Sequence, residues 1–303
     1  VTLMMDLRAE DDRLDTHFAW GNDSPVTYAG NVETETVFNT MNNGNSDFVR
    51  ADVKIKPSEI IINDTVWNVA ESAIRLDSGY VDVQGVGVQH GNQYLVVNGR
   101  LGENVSDSLV IDLKGVAVEY ILDIVQFKAV DFSGRATGKV HVNGALRKNI
   151  QARTDLHVED FHFNDGLMGD MDVSAHWDEE VGVVLDADIR EADTVASTQV
   201  AGYISPQKKG LDLQIDARNT NLSFLNSFIG GIFADVSGRA TGAVHLHGAF
   251  KELNLEGRAI ATASLTPRIL NTPFHIENDS VILALDAISF PDVTAFDPDG
   301  NTV

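Results

Sequence analysis

The sequence contains no cysteine and few positively charged residues, and both deficits exclude classes of protein. Without cysteine the chain has no disulfide scaffold and no thiol chemistry. Lys and Arg number 22 against 45 Asp and Glu, which leaves a formal net charge of −23. Such a charge repels nucleic-acid phosphates, and no basic cluster offsets it. We therefore expect no nucleic-acid partner.

Long apolar runs are missing as well. A membrane helix needs roughly 20 apolar residues, but polar residues such as Glu119 and Asp123 interrupt the best candidate, residues 116–130. The first ten residues, VTLMMDLRAE, lack the layout of a signal peptide, and the last eight, FDPDGNTV, add no closing element. We expect the 303 residues to be part of a longer polypeptide.

Catalytic signatures are also absent. The sequence has no GxSxG, HExxH or GxxxxGK[ST] motif and no cysteine nucleophile. Pairs of carboxylates such as Asp186 and Asp188 are inevitable in so acidic a chain and do not indicate a catalytic site. The sequence thus predicts no enzyme, no catalytic residue and no cofactor.

Two of the histidines have a spacing that metal ligands can have. His245 and His247 lie two residues apart and share one face of a strand. In a related stretch the same places hold His141 and Asn143, and no carboxylate is fixed nearby in sequence. The pattern favours polar histidines on an outer face, and no metal site is predicted.

Two further segments also fit structural roles better than metal binding. His157 and His162 lie in a strand pattern with Val158, Phe161 and Phe163. FDPDGN at 296–301 has the spacing that begins a calcium loop, but it lacks the later Glu and the preceding helix. A simple turn is the favoured alternative there.

The most informative feature is a duplication. SGRATGKVHVNGAL at 133–146 recurs as SGRATGAVHLHGAF at 237–250, 104 positions later. A short helical pattern precedes each copy, with apolar residues at i, i+3, i+4 and i+7 in the first and with Asn221 as the N-cap of the second. The apolar positions are Val118, Ile121, Leu122 and Val125, and Leu222, Leu225 and Ile229.

The glycines of the duplicated stretch are expected to form a turn between strands and to bend the sheet. Glycine tolerates positive φ, and a strand rather than a helix follows, which disfavours a phosphate-binding loop. These glycines are Gly134, Gly138, Gly144, Gly238, Gly242 and Gly248.

A fainter third copy and the other spaced motifs indicate three repeats of about a hundred residues. Tyr28-Ala29-Gly30 lies 104 positions before Phe132-Ser133-Gly134, and Gly99 and Gly202 form another spaced pair. The predicted repeats are 1–98, 99–202 and 203–303. They stack in the manner of a repeat array.

Within the repeats the dominant period is two, which predicts an all-β protein whose sheets have one apolar and one polar face. The apolar set either lines an open groove or fills a closed core. The predicted groove lining consists of Val81, Val83, Leu95, Val97, Leu109, Ile111, Leu113, Val140, Val142, Phe161, Phe163, Met171, Val173, Val183, Leu185, Ile189, Leu211, Leu213, Ile215, Val244, Leu246, Leu253, Leu255, Leu283 and Leu285.

Together, the order of strand, short amphipathic helix and SGRATGxVHxxGA resembles the TamB family of Gram-negative bacteria, within the AsmA-like superfamily. PSEIIINDTVW at 57–67 and HGNQYLVVNGRL at 90–101 are similar to members from the Bacteroidetes. The resemblance covers essentially the whole chain, although its motifs are diffuse.

The resemblance implies an elongated sheet curled into a trough, a "β-taco", with an apolar concave interior. It implies a periplasmic location, with an inner-membrane anchor outside these residues, and work in phospholipid movement and outer-membrane protein assembly. The implied partners are a phospholipid or other acyl chain and an outer-membrane assembly protein of the BamA/TamA type. We also expect end-to-end self-association through terminal strands.

A repetitive extracellular β-protein is the alternative, either an adhesin or a β-helix that binds or cleaves polysaccharide. A sugar-binding surface stacks its ligands on exposed aromatic rings, and this chain is only 7% aromatic. Its three tryptophans, at 20, 67 and 177, occupy no common repeat position.

Overall fold

A computed structural model describes residues 2–23, 25–42, 44, 46–104, 106–120, 131–144, 150–164, 166–192, 194–285, 287–291 and 293–302. The described chain is all-β, and its paired strands run antiparallel. Among these residues no helix has the length and apolar character to cross a membrane.

The chain divides into two compact units, which are described separately. Unit 1 comprises Val1–Val116 and Thr137–Thr154, and unit 2 comprises Ala117–Ala136 and Asp155–Val303. This division does not bear on the three predicted repeats, which are defined by sequence similarity.

Unit 1 contains the strands β1 (Thr2–Glu10), β2 (Arg13–Gly21), β3 (Ala29–Asn42), β4 (Asp47–Ile55), β5 (Ser58–Ile62), β6 (Thr65–Val69), β7 (Ser72–Leu76), β8 (Tyr80–His90), β9 (Gln93–Gly102) and β10 (Ser108–Ala117). Strands that follow one another in the chain mostly pair with each other. The exception is the β5–β6 hairpin, which pairs with β3 on one side and with β8 on the other, beside the β4–β7 pair.

Three strands contribute residues to both units: β10 through its last residue, Ala117, and β11 (Phe132–Asn143) and β12 (Gln151–Phe163). Unit 2 continues as an antiparallel series from β13 to β19, with two short strands on β19. Its strands are β13 (Gly166–Asp178), β14 (Gly182–Arg190), β15 (Ser197–Ser205), β16 (Gly210–Asn221), β17 (Phe233–Ala249), β18 (Glu252–Pro267), β19 (Phe274–Ala284), β20 (Ala287–Ser289) and β21 (Ala295–Phe296).

The predicted second helix exists as a 3₁₀ turn, Ser223–Leu225, followed by one α-helical turn, α1 (Asn226–Ile229). The predicted N-cap, Asn221, is wrong by one position: the N-cap is Leu222, which makes no side-chain capping bond. Asn221 ends the preceding strand, and its Oδ1 accepts a hydrogen bond from the Ser223 N–H at 2.9 Å. Of the first predicted helix, residues 118–120 are helical and the remainder lies outside the described residues.

The SGRATG part of the duplicated stretch is not a turn, so that part of the prediction is wrong. SGRATG lies inside a strand in both copies, β11 and β17. Three of its four glycines have positive φ, Gly242 being the exception. Glycine can enter this conformation within a strand without steric cost, so the ladder continues where a turn was expected.

Candidate functional site

The apolar side chains of unit 1 lie on one face of its strands. Cross-strand partners point to the same face of a sheet, and the registers pair Leu95 with Leu113 and Val97 with Ile111. The same face continues through β8, β7 and β4 to Phe38 of β3 and to Leu3, Met5 and Leu7 of β1. The lining residues predicted on β8, β9 and β10 therefore share a single face.

A β-bulge in β8 keeps that face intact. Gln84 and Gly85 together oppose the single residue Asn98, so that Val83 and Val86 point to the same side although they are three positions apart. Gly85 adopts φ +68°, and its N–H donates to Asn98 Oδ1 at 2.7 Å. The glycine and the asparagine thus correct a break in the alternating pattern.

Part of the apolar face of unit 1 is accessible to solvent. Its exposed large side chains are Leu3, Met5, Leu7, Phe38, Val49 and Leu76. Two other exposed side chains, Met4 and Val66, lie on the opposite face of their strands. Clusters of exposed apolar side chains mark surfaces that bind partners or ligands. The face that begins at β1 and reaches Leu113 of β10 is here called the apolar face of unit 1.

Unit 2 also has one apolar face, but it is more thoroughly packed. Leu211, Leu213 and Leu246 form a buried cluster, and Leu185 and Leu255 pack against it. The registers from β13 to β19 place all thirteen lining residues predicted on these strands on the same face. A second cluster of small residues, Ala240, Ala261 and Ala263 with Ile276, lies along the same strands.

The phenylalanines predicted to line the groove belong to a ring cluster in unit 2. Phe132 stacks on Phe161 and on Phe163, with centroid distances of 5.8 and 5.4 Å. Phe163 also stacks on Phe224 from the 3₁₀ turn at 5.6 Å. These rings pack the helical segment against the neighbouring strands.

Most of the predicted lining is neither buried nor fully exposed. Seven of the 25 residues are buried, seventeen are half-buried, and Leu285 is 58% exposed because β19 ends at Ala284. The buried seven are Val83, Leu113, Phe161, Ile189, Leu211, Leu213 and Leu246. Most of these side chains thus keep part of their surface accessible to solvent.

The opposite face of unit 1 carries the ion pairs. Asp52 lies between Arg75, 2.6 Å away, and Arg50, 3.3 Å away. The hydrogen bond from Arg75 holds the pKa of the Asp52 carboxyl below its ordinary value, although desolvation acts in the other direction. Similar pairs join Arg13 to Glu35 and Arg100 to Asp82. These charged side chains remain partly exposed, as expected for the polar face of an amphipathic sheet.

The structure also brings together four polar residues that the sequence did not connect. His245 and His247 lie on β17, and β16 and β18 place Asp212 and Glu256 beside them. Each histidine forms a hydrogen bond with one carboxylate. No carboxylate is adjacent to these histidines in the sequence, but the fold brings two carboxylates within hydrogen-bond distance of them. Only the register between neighbouring strands brings the carboxylates to the histidines, and the sequence alone does not determine that register.

The FDPDGN segment forms a turn. The Asp297 carboxylate accepts hydrogen bonds from the backbone N–H groups of Asp299 and Asn301 and from the Asn301 amide. These bonds lower the pKa of Asp297. Its carboxylate is thus occupied by the turn itself, as the alternative to a calcium loop predicted.

Strand β1 has an exposed outer edge. All nine of its residues are exposed, and within the described residues it pairs with β2 alone. Apolar side chains occur on both of its sides, at Leu3, Met4, Met5 and Leu7. An exposed apolar edge strand is a template for pairing with another chain.

We therefore expect two copies of the chain to associate through β1 at high concentration. Replacing Leu3 and Leu7 by lysine should abolish this association, because charges on an edge strand oppose edge-to-edge pairing. Sedimentation velocity over a concentration series measures it, with Val66→Lys as the control for added charge. A wild-type chain that stays monomeric throughout the series would contradict the expectation.

No protein family, curated protein or solved structure matches this chain in comparisons of its sequence and structure.

Proposed function

We propose that the chain shields lipid acyl chains, or apolar segments of unfolded proteins, against the apolar face of unit 1. The observation that carries this proposal is the difference between the two faces. One face presents Phe38, Val49 and Leu76 to solvent, whereas the other is crossed by ion pairs such as Arg75–Asp52. A sheet with an accessible apolar face and a charged back is suited to an apolar ligand in water.

The cost of exposing an acyl chain to water gives such binding a physical reason. Water exposure of an acyl chain costs ~0.8 kcal/mol for each CH₂ group, so a sixteen-carbon tail costs on the order of 10 kcal/mol. An apolar face that covers part of the tail removes the corresponding part of this cost. A lipid that moves along such a face stays partly covered throughout its path.

The wider role that we propose is that of the TamB family, which the sequence resembles. The chain would then be a segment of a periplasmic protein anchored in the inner membrane, with its strands curled into a trough. It would serve phospholipid transport, outer-membrane protein assembly or both, with an outer-membrane partner of the BamA/TamA type. Half-buried residues along the predicted lining fit an incompletely covered face.

The tryptophans do not support the alternative of a sugar-binding surface. Trp67 is only 3% exposed, and Trp20 and Trp177 are half-buried. The rings therefore do not stand out as platforms on which sugars could stack.

A matched pair of variants tests the proposal. Leu76 and Val66 are 44% and 43% exposed and lie on opposite faces of neighbouring strands. Leu76→Asp should weaken binding of a phospholipid with a fluorescent acyl chain at least ~3-fold, because full burial of a leucine is worth roughly 1.5–3 kcal/mol and 44% of this side chain is left for a ligand to cover. Val66→Asp should leave the affinity unchanged. Fluorescence titration measures both.

Thermal unfolding of both variants is the control for stability. Both side chains are partly solvated, so neither change should lower the melting temperature by more than the other. Equal binding by the two variants, or no binding by the wild-type chain, would refute the assignment of the ligand to this face.

A further inference from the structure

A cluster of histidines and carboxylates lies on the polar face of unit 2, across three neighbouring strands. His245 and His247 belong to the central strand β17, Asp212 to β16 and Glu256 to β18. The registers place Glu256 opposite His245 and Asp212 opposite His247. All four side chains are partly exposed, so an ion can reach them from solvent.

Each hydrogen bond joins diagonal neighbours rather than the residues directly opposite each other. Asp212 Oδ1 lies 2.8 Å from His245 Nε2, and Glu256 Oε2 lies 2.9 Å from His247 Nε2. The two imidazole rings stack with centroids 4.3 Å apart. One ligand atom from each of His245, His247 and Glu256 lies within 4.8 Å of the others. Ligands at ~2.0–2.2 Å from a tetrahedral zinc ion are roughly 3.3–3.5 Å apart, so small side-chain rotations bring these atoms into position.

The chemistry of the four groups suits a divalent ion of intermediate softness. Two imidazoles and a carboxylate are a common ligand set of zinc. An ionised carboxylate only accepts hydrogen bonds, so the bond to Asp212 requires the proton on His245 Nε2 and leaves Nδ1 free to bind a metal. A carboxylate that fixes the tautomer of a ligating histidine in this way is a regular feature of zinc sites.

The first copy of the duplicated stretch serves as an internal comparison. At the same offset of 104 positions it has His141 and Asn143 in place of the two histidines. Ser108 and Ala152 replace the two carboxylates. The stretch forms a strand in both copies, β11 and β17, so strand formation does not require the two histidines and the two carboxylates.

We propose that His245, His247 and Glu256 bind a zinc ion that links β17 to β18, with Asp212 as the positioning residue of His245. Three protein ligands leave a fourth position for water. The site lies on the face opposite the apolar lining and is independent of the proposed lipid binding.

Calorimetric titration of the untagged, EDTA-treated chain with zinc tests the proposal. We expect one strong site per chain. His245→Ala, His247→Ala and Glu256→Gln should each weaken it by at least ~10-fold, the lower end of what loss of an outer-shell partner costs. His141→Ala, the matched change in the first copy, should leave the affinity unchanged. Cobalt should give the visible absorption of a low-coordinate site in the wild type and not in His247→Ala.

The Asp212→Asn variant distinguishes a role of Asp212 in positioning His245 from a purely structural role. It should lower zinc affinity about 10-fold and leave the melting temperature of the metal-free chain unchanged, whereas a purely structural residue would lower the melting temperature. Zinc binding that survives in the His245→Ala/His247→Ala double variant, or that falls equally in His141→Ala, would overturn the site. So would failure of the wild type to bind zinc. In that outcome the cluster consists of two ordinary histidine–carboxylate pairs.

Discussion

Replacing Leu213 by aspartate is expected to lower the free energy of unfolding of unit 2 by at least ~4 kcal/mol. Removal of a buried leucine side chain alone typically costs ~2–5 kcal/mol, and an unpaired buried carboxylate adds a desolvation penalty. Leu213 is 7% exposed and packs in the cluster with Leu211 and Leu246. Urea unfolding followed by circular dichroism measures the change.

The next residue provides the control, because Gln214 is exposed on the opposite face of the same strand. Gln214→Asp should change the stability by no more than ~0.5 kcal/mol. If Leu213→Asp retains the stability of the wild type, Leu213 faces an open, hydrated groove rather than a closed cluster. That result would show that the apolar face of unit 2 is accessible to solvent as well.

Replacing Gly202 by alanine is expected to destabilise unit 2 by about 3 kcal/mol, through two separate effects. Its φ of +146° is strained for any residue with a Cβ, at a cost of ~1–3 kcal/mol. A Cβ at this position would also lie 2.1 Å from the Asp212 carbonyl oxygen on β16, so the two strands would have to separate. Overpacking of this kind costs a further ~1–3 kcal/mol.

Gly231 is the matched control, since a Cβ there meets no atom within 4 Å and its φ is not positive. Gly231→Ala should be neutral or slightly stabilising, because alanine restricts the unfolded chain. The two variants are compared by thermal unfolding. Equal melting temperatures would show that β15 and β16 can separate locally at little cost.

The fold class and the faces of most strands were predictable from the sequence, because alternation has a direct physical cause. Leu211, Leu213 and Ile215 point to one side since successive side chains of a strand point to opposite sides. The bulge at Gly85 was not predictable in this way. Val83 and Val86 are three positions apart, whereas the apolar residues on either side of them are spaced by two. In the sequence this change is typical of a break between two strands. The pairing with Asn98 shows that the strand is continuous.

The candidate sites were predictable only in part. The duplicated SGRATG stretch led to a predicted turn because glycine is frequent in turns, whereas here it allows a strand to continue with positive φ. His245 and His247 were recognised as a pair on one face. Their partners Asp212 and Glu256 could not be found, since register between strands depends on packing and loop geometry and is not written in local sequence.

The pairing of consecutive strands has a consequence for the order of folding. Each strand in the series β13 to β19 meets a partner only a short loop away, so the entropy of loop closure is small at every step. In unit 1 this order is interrupted between β3 and β8 among the described strands: β4 pairs with β7 across residues 56–71, and the β5–β6 hairpin pairs with β3 and β8. The β5–β6 hairpin lies within that loop and consists of local contacts, so we expect it to form early and to shorten the loop that closes when β7 pairs with β4. Sequential addition of this kind allows strands to join the sheet while later ones are still being synthesised.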